Sequence, residues 1–513
     1  MKFPWRGSAD LHLARLALPL TLVIAALLRL WALGQGVPFA VQVDEPEVLL
    51  RAVRMMRTGD LNPHFYDYPT LYMYLQAVVA ALRFVIGAMR GEWAALAQAP
   101  PEAFYLWGRA LTAIFGAATV WIVYRAGTRW DEGTALLAAI MFAVMPLHVR
   151  ESHFVLTDVP ATFFVMLTLL LALRAHERAT LWTFAFAGAA AGLAAGTKYN
   201  GGVAIVIPLI ACLATPAVRP SRRVAVTWVV GAAALAFLVV APYTVLDLPT
   251  FLNQFARLSG EYRMARSGEP IWLLYLKHLR IALDWAGSVI VLGGLMLGLW
   301  RMLAGPDRPK WALLTVFPLV YFRFVSNQNI VFARYLLPLL PFLSLLGAAA
   351  IVRFVGVARR TSLPRPAIAF LTIGLVVVAV VPPTYNAIAF DAMAAKVWTN
   401  EQAYQWIVHT LPRGSKVALE SRGVLLPATY QARYYPQLRL QPLENYAAEG
   451  VDYLIASSQC YGIFLEGGPQ VFPVEYADYM RIFQQTEEIA RFTPSRDHPG
   501  PELRVLKIVR VTP

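Results

Sequence analysis

Leu11–Gly34 is an apolar stretch near the start of the chain, and it reads LHLARLALPLTLVIAALLRLWALG. It follows the basic residues Lys2 and Arg6, exceeds the apolar core of a signal peptide, and is not followed by a small-residue cleavage site. A helix needs about 20 apolar residues to span a bilayer. We therefore expect this stretch to form a first helix that anchors the chain in a membrane.

The composition extends this interpretation to most of the chain. Of 513 residues, 58% are hydrophobic and only 15% are charged, whereas about a quarter are charged in ordinary soluble domains. This excludes a simple soluble enzyme. Further apolar runs lie near residues 70–90, 106–127, 133–149, 154–175, 181–196, 199–215, 224–243, 285–304, 311–325, 333–356 and 366–386. The sequence thus predicts a mainly α-helical, polytopic membrane bundle with about 11 to 13 spans.

The distribution of basic residues indicates the orientation of the chain. The 45 Lys and Arg exceed the 31 Asp and Glu, for a net charge of +14, and the positive-inside rule explains such an excess without a nucleic-acid partner. Basic clusters recur at Arg83/Arg90, Arg174/Arg178, Arg219/Arg222/Arg223, Arg301/Arg308/Lys310 and Arg353/Arg359/Arg360/Arg365. With these clusters and the N-terminus in the cytoplasm, Asp44, Asp158 and Lys198 are expected on the extracytoplasmic side.

One segment does not fit this alternation. Between a cytoplasmic Arg90 and an extracytoplasmic Asp158 the number of crossings must be odd, yet two apolar runs, 106–127 and 133–149, are present. Proline interrupts helices, so Pro146 predicts that the second run is broken, interfacial or re-entrant.

The composition changes after residue 386. Residues 387–513 form a mixed polar segment that is long enough for a core of its own. Short strands are predicted at Lys416–Glu420, Tyr453–Ser457 and Leu503–Val511. We expect a transmembrane module over 1–386 and an extracytoplasmic, soluble α/β domain over 387–513.

The first acidic site follows the first apolar run, at Asp44-Glu45-Pro46. Proline favours the first position of a helix, and the positive end of the helix dipole keeps carboxylates at that end ionised. An ionised carboxylate at a membrane surface can act as a base. The alternative is that Glu45 merely caps an amphipathic interfacial helix.

The loop that follows contains His64 and Tyr68 within Gly59–Thr70. Such side chains can contact the faces and hydroxyls of a sugar, and we regard both residues as candidates for substrate binding. Aromatic residues at membrane interfaces also serve as anchors, and that alternative stays open here.

A second acidic site comprises Glu151, His153 and Asp158, the last at the mouth of an apolar helix. Ionisable groups at such a position are costly and indicate function, although Asp158 would also suit the cap of a helix that Pro160 opens. Glu151 and His153 are further candidates for substrate binding. With Asp44 they would supply ligands for a divalent cation, but their spacing does not demonstrate one, so no cofactor is predicted with certainty.

Three cations lie at predicted extracytoplasmic boundaries: Lys198, Arg323 and Arg334. Arginine binds phosphate bidentately, and lysine contributes a point charge or snorkels to the interface. The glycines around Lys198 do not form a Walker motif, which excludes that nucleotide site. We expect these cations to hold a lipid-linked phosphate, with the neighbouring Tyr199 in contact with the substrate.

Together these motifs resemble the GT-C membrane glycosyltransferases, in particular the branch with the protein O-mannosyltransferases and the lipid A aminoarabinose transferases. The resemblance covers most of the membrane part. It rests on Asp44-Glu45, the 59–69 segment, Thr157-Asp158 followed by Phe163-Phe164, Gly196-Thr197-Lys198-Tyr199, and Arg334-Tyr335-Leu336-Leu337-Pro338. The aminoarabinose transferases carry a lysine before the second span, where this chain has Asp67-Tyr68-Pro69.

The resemblance implies a sugar donor carried on a polyprenyl phosphate, an extracytoplasmic active site and inversion at the anomeric carbon. Asp44 matches the family's catalytic base, Glu45 its acidic neighbour and Asp158 its second acidic site, while Lys198 and Arg334 match donor-phosphate positions. The acceptor would be a protein, a glycan or a lipid. The chain is expected in the inner membrane, with the active site and the C-terminal domain outside the cytoplasm.

Three alternatives remain. An oligosaccharide-transferring relative belongs to the same enzyme class. A transporter of anionic solutes would also have many spans and charged groups, but carriers place those groups near the bilayer midplane at broken helices, whereas the acids here lie in predicted loops. The third alternative is a non-catalytic scaffold or lipid-binding protein.

Overall fold

A computed structural model of the chain describes residues 8–40, 42, 44–216, 221–262 and 269–509. Its contacts divide the chain into two units, one of Met1–Leu33 with Glu47–Asp391 and one of Gly34–Pro46 with Ala392–Pro513. This division after Asp391 lies close to the boundary expected at 386/387, but the sequence did not assign 34–46 to the second unit. Outside the described residues lie Lys2, Arg6, Arg219 and the predicted strand end at 510–511.

The first unit consists of helices and their connections. In chain order the helices are α1 (Ser8–Leu30), α2 (Glu45–Thr58), α3 (Leu71–Met89), α4 (Tyr105–Gly127), α5 (Glu132–Ala143), α6 (Pro146–Glu151), α7 (Asp158–Arg178), α8 (Leu181–Thr197), α9 (Val206–Ala214), α10 (Arg222–Val240), α11 (Tyr243–Leu246), α12 (Leu248–Glu261), α13 (Ile271–Ala304), α14 (Arg308–Val325), α15 (Leu340–Ala358) and α16 (Arg365–Ala394). Short 3-10 helices at Tyr199–Ile205 and Ala333–Leu339 lead into α9 and α15.

Within the described ranges, seven helical stretches are long and apolar enough to cross a membrane, and they contain α3, α4, α7, α10, α13, α15 and α16. Four shorter apolar stretches occur at Leu16–Leu30, Glu132–Ala143, Leu181–Thr197 and Tyr199–Ala214. Together with α14 these helices correspond to the predicted apolar runs. The prediction of a mainly α-helical, polytopic membrane protein is confirmed.

The predicted break in the 133–149 run is present. α5 ends at Ala143 and α6 begins at Pro146. Proline suits the first turn of a helix, where its missing N–H has no intrahelical partner. After the break the chain continues as the short α6 and then as a loop, which ends where α7 begins at Asp158.

α15 lies at the centre of the first unit. It packs against α5, α13 and α14, and nearly all of its side chains up to Ala349 are buried. A helix that is apolar all round belongs in a protein core or in a membrane, and in α15 most of the apolar surface is covered by the other helices. The residues that lead into α15, among them Arg334 and Tyr335, are therefore fixed by the most enclosed part of the core.

α8 and α10 pack with their backbones close together. A Cβ added at Gly188 or Gly192 would collide with the backbone of Val229 or Ala233. Small residues four apart allow such close approach in membrane helices. This packing holds the end of α8, where Lys198 begins the connection to α9.

The described residues of the second unit contain a five-stranded sheet and four α-helices. Its elements are α17 (Thr399–Thr410), β1 (Lys416–Glu420), β2 (Gln431–Tyr435), α18 (Leu443–Ala448), β3 (Tyr453–Ser457), α19 (Ser458–Val471), α20 (Pro473–Gln485), β4 (Thr486–Phe492) and β5 (Leu503–Ile508). The strand order is β2-β1-β3-β5-β4. The pairs β2–β1 and β1–β3 are parallel, and β3–β5 and β5–β4 are antiparallel. The predicted α/β class of this part is confirmed.

Glu420 at the end of β1 is a buried carboxylate in the second unit. It accepts hydrogen bonds from the backbone N–H groups of Leu438 at 3.0 Å and Ser457 at 2.7 Å, and from the hydroxyl of Tyr479 at 2.6 Å. Burial raises the pKa of Glu420. These three donors connect β1, β3 and α20, so we assign this carboxylate to the core of the sheet.

Candidate active site

Asp158, Lys198 and Arg334 form one charged cluster in the first unit. The Lys198 Nζ lies 2.5 Å from Oδ1 of Asp158, and the Arg334 Nε lies 3.7 Å from Oδ2 of the same carboxylate. The three side chains are between 5% and 11% exposed. All three residues were predicted from the sequence as site residues, and the structure brings them together.

Each member of this cluster lies where a helix begins or ends. Asp158 is the first residue of α7, where the positive end of the dipole favours a carboxylate. Lys198 follows the last residue of α8, in extended backbone. Arg334 lies in the 3-10 helix before α15. Three chain segments far apart in sequence therefore converge at their termini, which leaves the side chains on the rim of the helical core.

Aromatic rings surround the two cations. The Lys198 Nζ lies 4.4 Å from the centre of the Tyr335 ring, and the Arg334 guanidinium lies 4.2 Å from the centre of the Phe332 ring. The Tyr335 hydroxyl lies 2.5 Å from the hydroxyl of Tyr262. Sequence analysis did not select Tyr262 or Phe332. Tyr335 directly follows Arg334 in the sequence, and this neighbour was the feature from which Tyr335 was predictable as a site residue.

Asp158 contributes one negative charge to the cluster, and Lys198 and Arg334 contribute two positive charges. A buried charge is costly unless it is paired, and both cations contact the carboxylate of Asp158. Two cations held close together with little exposure are suited to binding an anion. Since the donors of this cluster are one ammonium and one guanidinium, a phosphate matches it well.

The 59–70 loop is attached to α12 and to Tyr199. The Tyr199 hydroxyl donates to the carbonyl of Tyr66 at 3.0 Å, and the Tyr66 N–H donates to Oε1 of Gln254 at 2.8 Å. Arg257 pairs with Asp67 at 2.5 Å. Tyr199 was predicted to contact the substrate. In the structure its hydroxyl attaches this loop to the segment that contains Lys198.

His64 and Tyr68 lie on the same loop. His64 Nε2 is 2.9 Å from Oδ2 of Asp60, and a backbone N–H from Asn62 together with this imidazole lowers the pKa of Asp60. The Tyr68 ring lies 5.9 Å from that of Phe65. His64 is more than half exposed, so its imidazole is open to a ligand from outside the loop.

Glu151 and His153 lie before α7 and are buried. Glu151 pairs with Arg150 at 2.6 Å. The two ring nitrogens of His153 face the carbonyl oxygens of Val149 at 2.9 Å and Trp31 at 2.8 Å. Within the described part of the chain, no group of three or more His, Cys, Asp and Glu residues is placed to hold a metal ion.

His153 has a further contact with the carboxylate of Asp391. Its Nε2 lies 3.3 Å from Oδ1, and both side chains are fully buried. Burial lowers the pKa of His153, whereas the two carbonyl oxygens raise it. The environment of this imidazole is that of a residue connecting the loop before Asp158 to α16.

Arg323 lies apart from the cluster. It is exposed in the last turn of α14, and its guanidinium donates to the side-chain oxygen of Asn327. Sequence analysis grouped it with Arg334 because both flank the same short turn. The Arg334 side chain is only 11% exposed, whereas Arg323 is exposed.

Asp44 and Glu45 belong to the 34–46 segment of the second unit. α2 begins at Glu45, as the sequence predicted. The Asp44 N–H donates to Oε1 of Gln42 at 2.7 Å, and the Gln42 N–H donates to Oε2 of Glu45 at 2.9 Å. The Glu45 carboxylate thus closes the turn that precedes α2.

Comparison with known proteins identifies the fold. The model of a family described as dolichyl-phosphate-mannose-protein mannosyltransferase matches residues 22–257. No match was found among curated protein sequences.

Two solved structures are similar over most of the chain. One is ArnT from Cupriavidus metallidurans bound to undecaprenyl phosphate, with 15% sequence identity, coverage of 96% of this chain and 97% of that chain, and a TM-score of 0.57. The other is the oligosaccharyltransferase AglB from Archaeoglobus fulgidus in complex with an inhibitory peptide and a dolichol-phosphate, with 14% identity, coverage of 88% and 70%, and a TM-score of 0.56. The resemblance drawn from the sequence is thereby confirmed, and the chain is a multi-pass membrane protein of the GT-C glycosyltransferase fold.

Proposed function

We propose that the chain is a membrane glycosyltransferase that moves a sugar from a polyprenyl-phosphate-linked donor to an acceptor hydroxyl, with inversion. The observation that carries the proposal is the cluster of Lys198 and Arg334 around Asp158. Two relatives of the same fold support it, since one is bound to undecaprenyl phosphate and the other to a dolichol-phosphate. The description of the matched family also names a sugar linked to dolichyl phosphate.

The cations act on the departing phosphate. When the bond between the anomeric carbon and the phosphate oxygen breaks, the phosphodiester with one negative charge becomes a phosphomonoester with two. Lys198 and Arg334 stabilise the added charge, and cations placed in advance for a developing charge lower the barrier because they need no reorganisation. Asp158 holds both cations in place before the donor arrives.

Asp44 is proposed as the general base. It would take the proton from the acceptor hydroxyl as that oxygen attacks the anomeric carbon. A single displacement of this kind inverts the configuration and needs no covalent enzyme intermediate. The support for this assignment is the resemblance of Asp44-Glu45 to the family motif and the place of Asp44 directly before the N-terminus of α2.

The 59–70 loop is proposed to contact the sugar or the acceptor through His64 and Tyr68, with Tyr199 holding the loop in position. For Glu151 and His153 we propose a positioning role, because their polar atoms contact Arg150, two carbonyl oxygens and Asp391. Arg323 is left out of the phosphate site because it is exposed.

The proposed location is an inner membrane with the N-terminus in the cytoplasm. α7 supports this orientation, because it begins with Asp158 and ends with Arg174 and Arg178, as the positive-inside rule requires for an outward-facing acid. The connections between α13 and α14 and between α15 and α16 are also basic. The acceptor hydroxyl would then lie outside the cytoplasm, on a protein, a glycan or a lipid.

The test is transfer of radiolabelled sugar by the purified full-length chain from synthetic polyprenyl-phosphate donors to membrane extracts. We expect transfer by the wild type and a loss of about 10²- to 10⁴-fold in Asp44→Asn, the usual contribution of a general base. The donors should include both single sugars and an oligosaccharide, because AglB transfers the latter class as its name states. If several donors neither react nor bind, the proposal is contradicted and uptake of anionic solutes by reconstituted vesicles becomes the next test.

A further inference from the structure

A second polar site lies in the first unit, and its lining residues do not include Asp158, Lys198 or Arg334. It is a cavity of about 370 Å³ whose walls combine one cation, one carboxylate, one amide and one large aromatic ring. The lining residues are Pro146, Arg280, Ile281, Asp284, Trp285 and Asn386. None of them takes part in the proposed transfer reaction, so the cavity needs an explanation of its own.

The cavity is formed by a kink in α13. Asp284 has φ 58° and ψ 175°, which divides the helix into the segments 271–283 and 285–304. Such backbone is costly for a residue other than glycine, and it persists where the surroundings hold it. Asn386 on α16 donates to Oδ2 of Asp284 at 3.2 Å, so one oxygen of the carboxylate is fixed at the cavity.

The kink also separates two opposite charges. Arg280 and Asp284 are four residues apart, a spacing at which they would pair on a straight helix. Within the described part of the chain no ion pair joins them, and the Arg280 guanidinium instead lies 5.0 Å from the centre of the Trp285 ring. The cavity therefore presents a cation and an anion that do not neutralise each other.

An exposed apolar face of α13 begins at the cavity. Its members are three or four residues apart, and each is at least half exposed: Ile281, Trp285, Val289, Leu292, Met296, Trp300 and Leu303. From Trp285 to Leu303 this face is about 27 Å long at the rise of an α-helix, which is close to the thickness of the hydrocarbon core. The first two members also line the cavity, so the polar site and the apolar face are continuous.

We propose that this cavity binds the headgroup of a phosphatidylethanolamine-type lipid whose acyl chains lie along the exposed face of α13. Arg280 binds the phosphate, while Asp284 accepts hydrogen bonds from the primary ammonium. Asn386 holds the Asp284 carboxylate, and Trp285 packs beside the headgroup. A polyprenyl phosphate fits less well, because it brings no cation to Asp284. A choline headgroup fits less well because its ammonium has no hydrogen to donate.

The test is lipid retention by the full-length chain. The protein is reconstituted in vesicles with equal parts of phosphatidylethanolamine, phosphatidylcholine and phosphatidylglycerol, extracted in mild detergent, and its bound lipid is measured by native mass spectrometry. We expect phosphatidylethanolamine to be enriched about tenfold over the other two, the factor given by one charge-assisted hydrogen bond. Equal retention of the three lipids would overturn the proposal.

Two variants and a control assign the lipid to the cavity. Asp284→Asn, which keeps the size of the side chain and tolerates positive φ, and Arg280→Gln, at an exposed position, should each abolish the enrichment. Lys277→Gln removes an exposed charge one turn earlier, where Lys277 pairs with Glu269, and should keep it. Enrichment that persists in both cavity variants would contradict the assignment. So would displacement of the bound lipid by an equimolar amount of undecaprenyl phosphate.

Discussion

The Lys198 ammonium lies 2.5 Å from the carboxylate of Asp158, although the two residues are 40 positions apart in the sequence. Asp158 is the first residue of α7, and Lys198 directly follows α8. Both side chains are nearly buried, at 11% and 5% exposure. Arg334 approaches the other oxygen of the same carboxylate at 3.7 Å. Both cations contact the same carboxylate, and we propose that this pair of cations is the binding site for a lipid-linked phosphate.

Replacing Asp158 by Asn should destabilise the protein and make it depend on an anionic ligand. The change leaves Lys198 and Arg334 close together and little exposed, and removal of one partner of a buried pair costs about 3–5 kcal/mol. Thermal unfolding in detergent measures this loss. Added polyprenyl phosphate should restore more stability to the variant than it adds to the wild type, because its charge replaces the carboxylate. Equal stabilisation of both proteins would contradict this interpretation.

The two arginines that sequence analysis grouped together should differ in function. Arg334→Gln removes a cation of the buried cluster, and a lost hydrogen bond to a charged group should raise the KM for the donor about tenfold or more. Arg323→Gln changes an exposed side chain, for which an effect below about 1 kcal/mol is normal. Steady-state kinetics on the two variants measure the difference. Similar KM values for both would mean that burial does not distinguish them.

His153 and Asp391 should behave as a coupled pair. Both are fully buried and 3.3 Å apart. His153→Phe removes this contact from Asp391, and Asp391→Leu leaves His153 with only the carbonyl oxygens of Val149 and Trp31. Each change alone should cost about 1–3 kcal/mol. The double variant should lose less than the sum of the single losses, because neighbours in contact are not additive. A double-mutant cycle by thermal unfolding provides the measurement. Strict additivity would show that the contact carries no energy.

Two glycines in the α8–α10 pair offer a matched test of the packing that supports Lys198. A side chain at Gly192 would collide with the backbone of Ala233, whereas the space around Gly231 on α10 is open. Gly192→Leu should therefore separate the helices and lower the unfolding temperature by several degrees, as an overpacked core costs about 1–3 kcal/mol. Gly231→Leu should leave it nearly unchanged. A comparable loss in both variants would exclude close packing as the cause.

The sequence predicted the parts of the fold that bury continuous apolar surface. The runs near 70–90, 106–127 and 154–175 became α3, α4 and α7, and the strands Lys416–Glu420 and Tyr453–Ser457 were found at those bounds. β2 and β4 were missed. Both are edge strands of the sheet, and none of their residues is buried, so the alternation that marks a half-buried strand is absent.

The sequence predicted which residues belong to the candidate site, but not how these residues are arranged in space. Charges at predicted helix ends identified Asp158, Lys198 and Arg334, because ionisable groups there are costly. Their meeting depends on how α7, α8 and α15 pack, which local sequence does not encode. Tyr262 was missed for the same reason, since it contacts Tyr335 from a segment 73 residues away. The kink at Asp284 was not predicted, although it lies at the residue before the predicted apolar run 285–304.

The most direct test of the central claim is the release of polyprenyl phosphate in a single turnover. Donor labelled in the lipid is mixed with excess purified enzyme and acceptor extract, for the wild type, Lys198→Met and the exposed-charge control Lys277→Met. We expect the control to match the wild type and Lys198→Met to release the lipid phosphate about 10²-fold more slowly, because one cation of the preorganised cluster is gone. If Lys198→Met releases it at the wild-type rate, the cluster is not the donor-phosphate site.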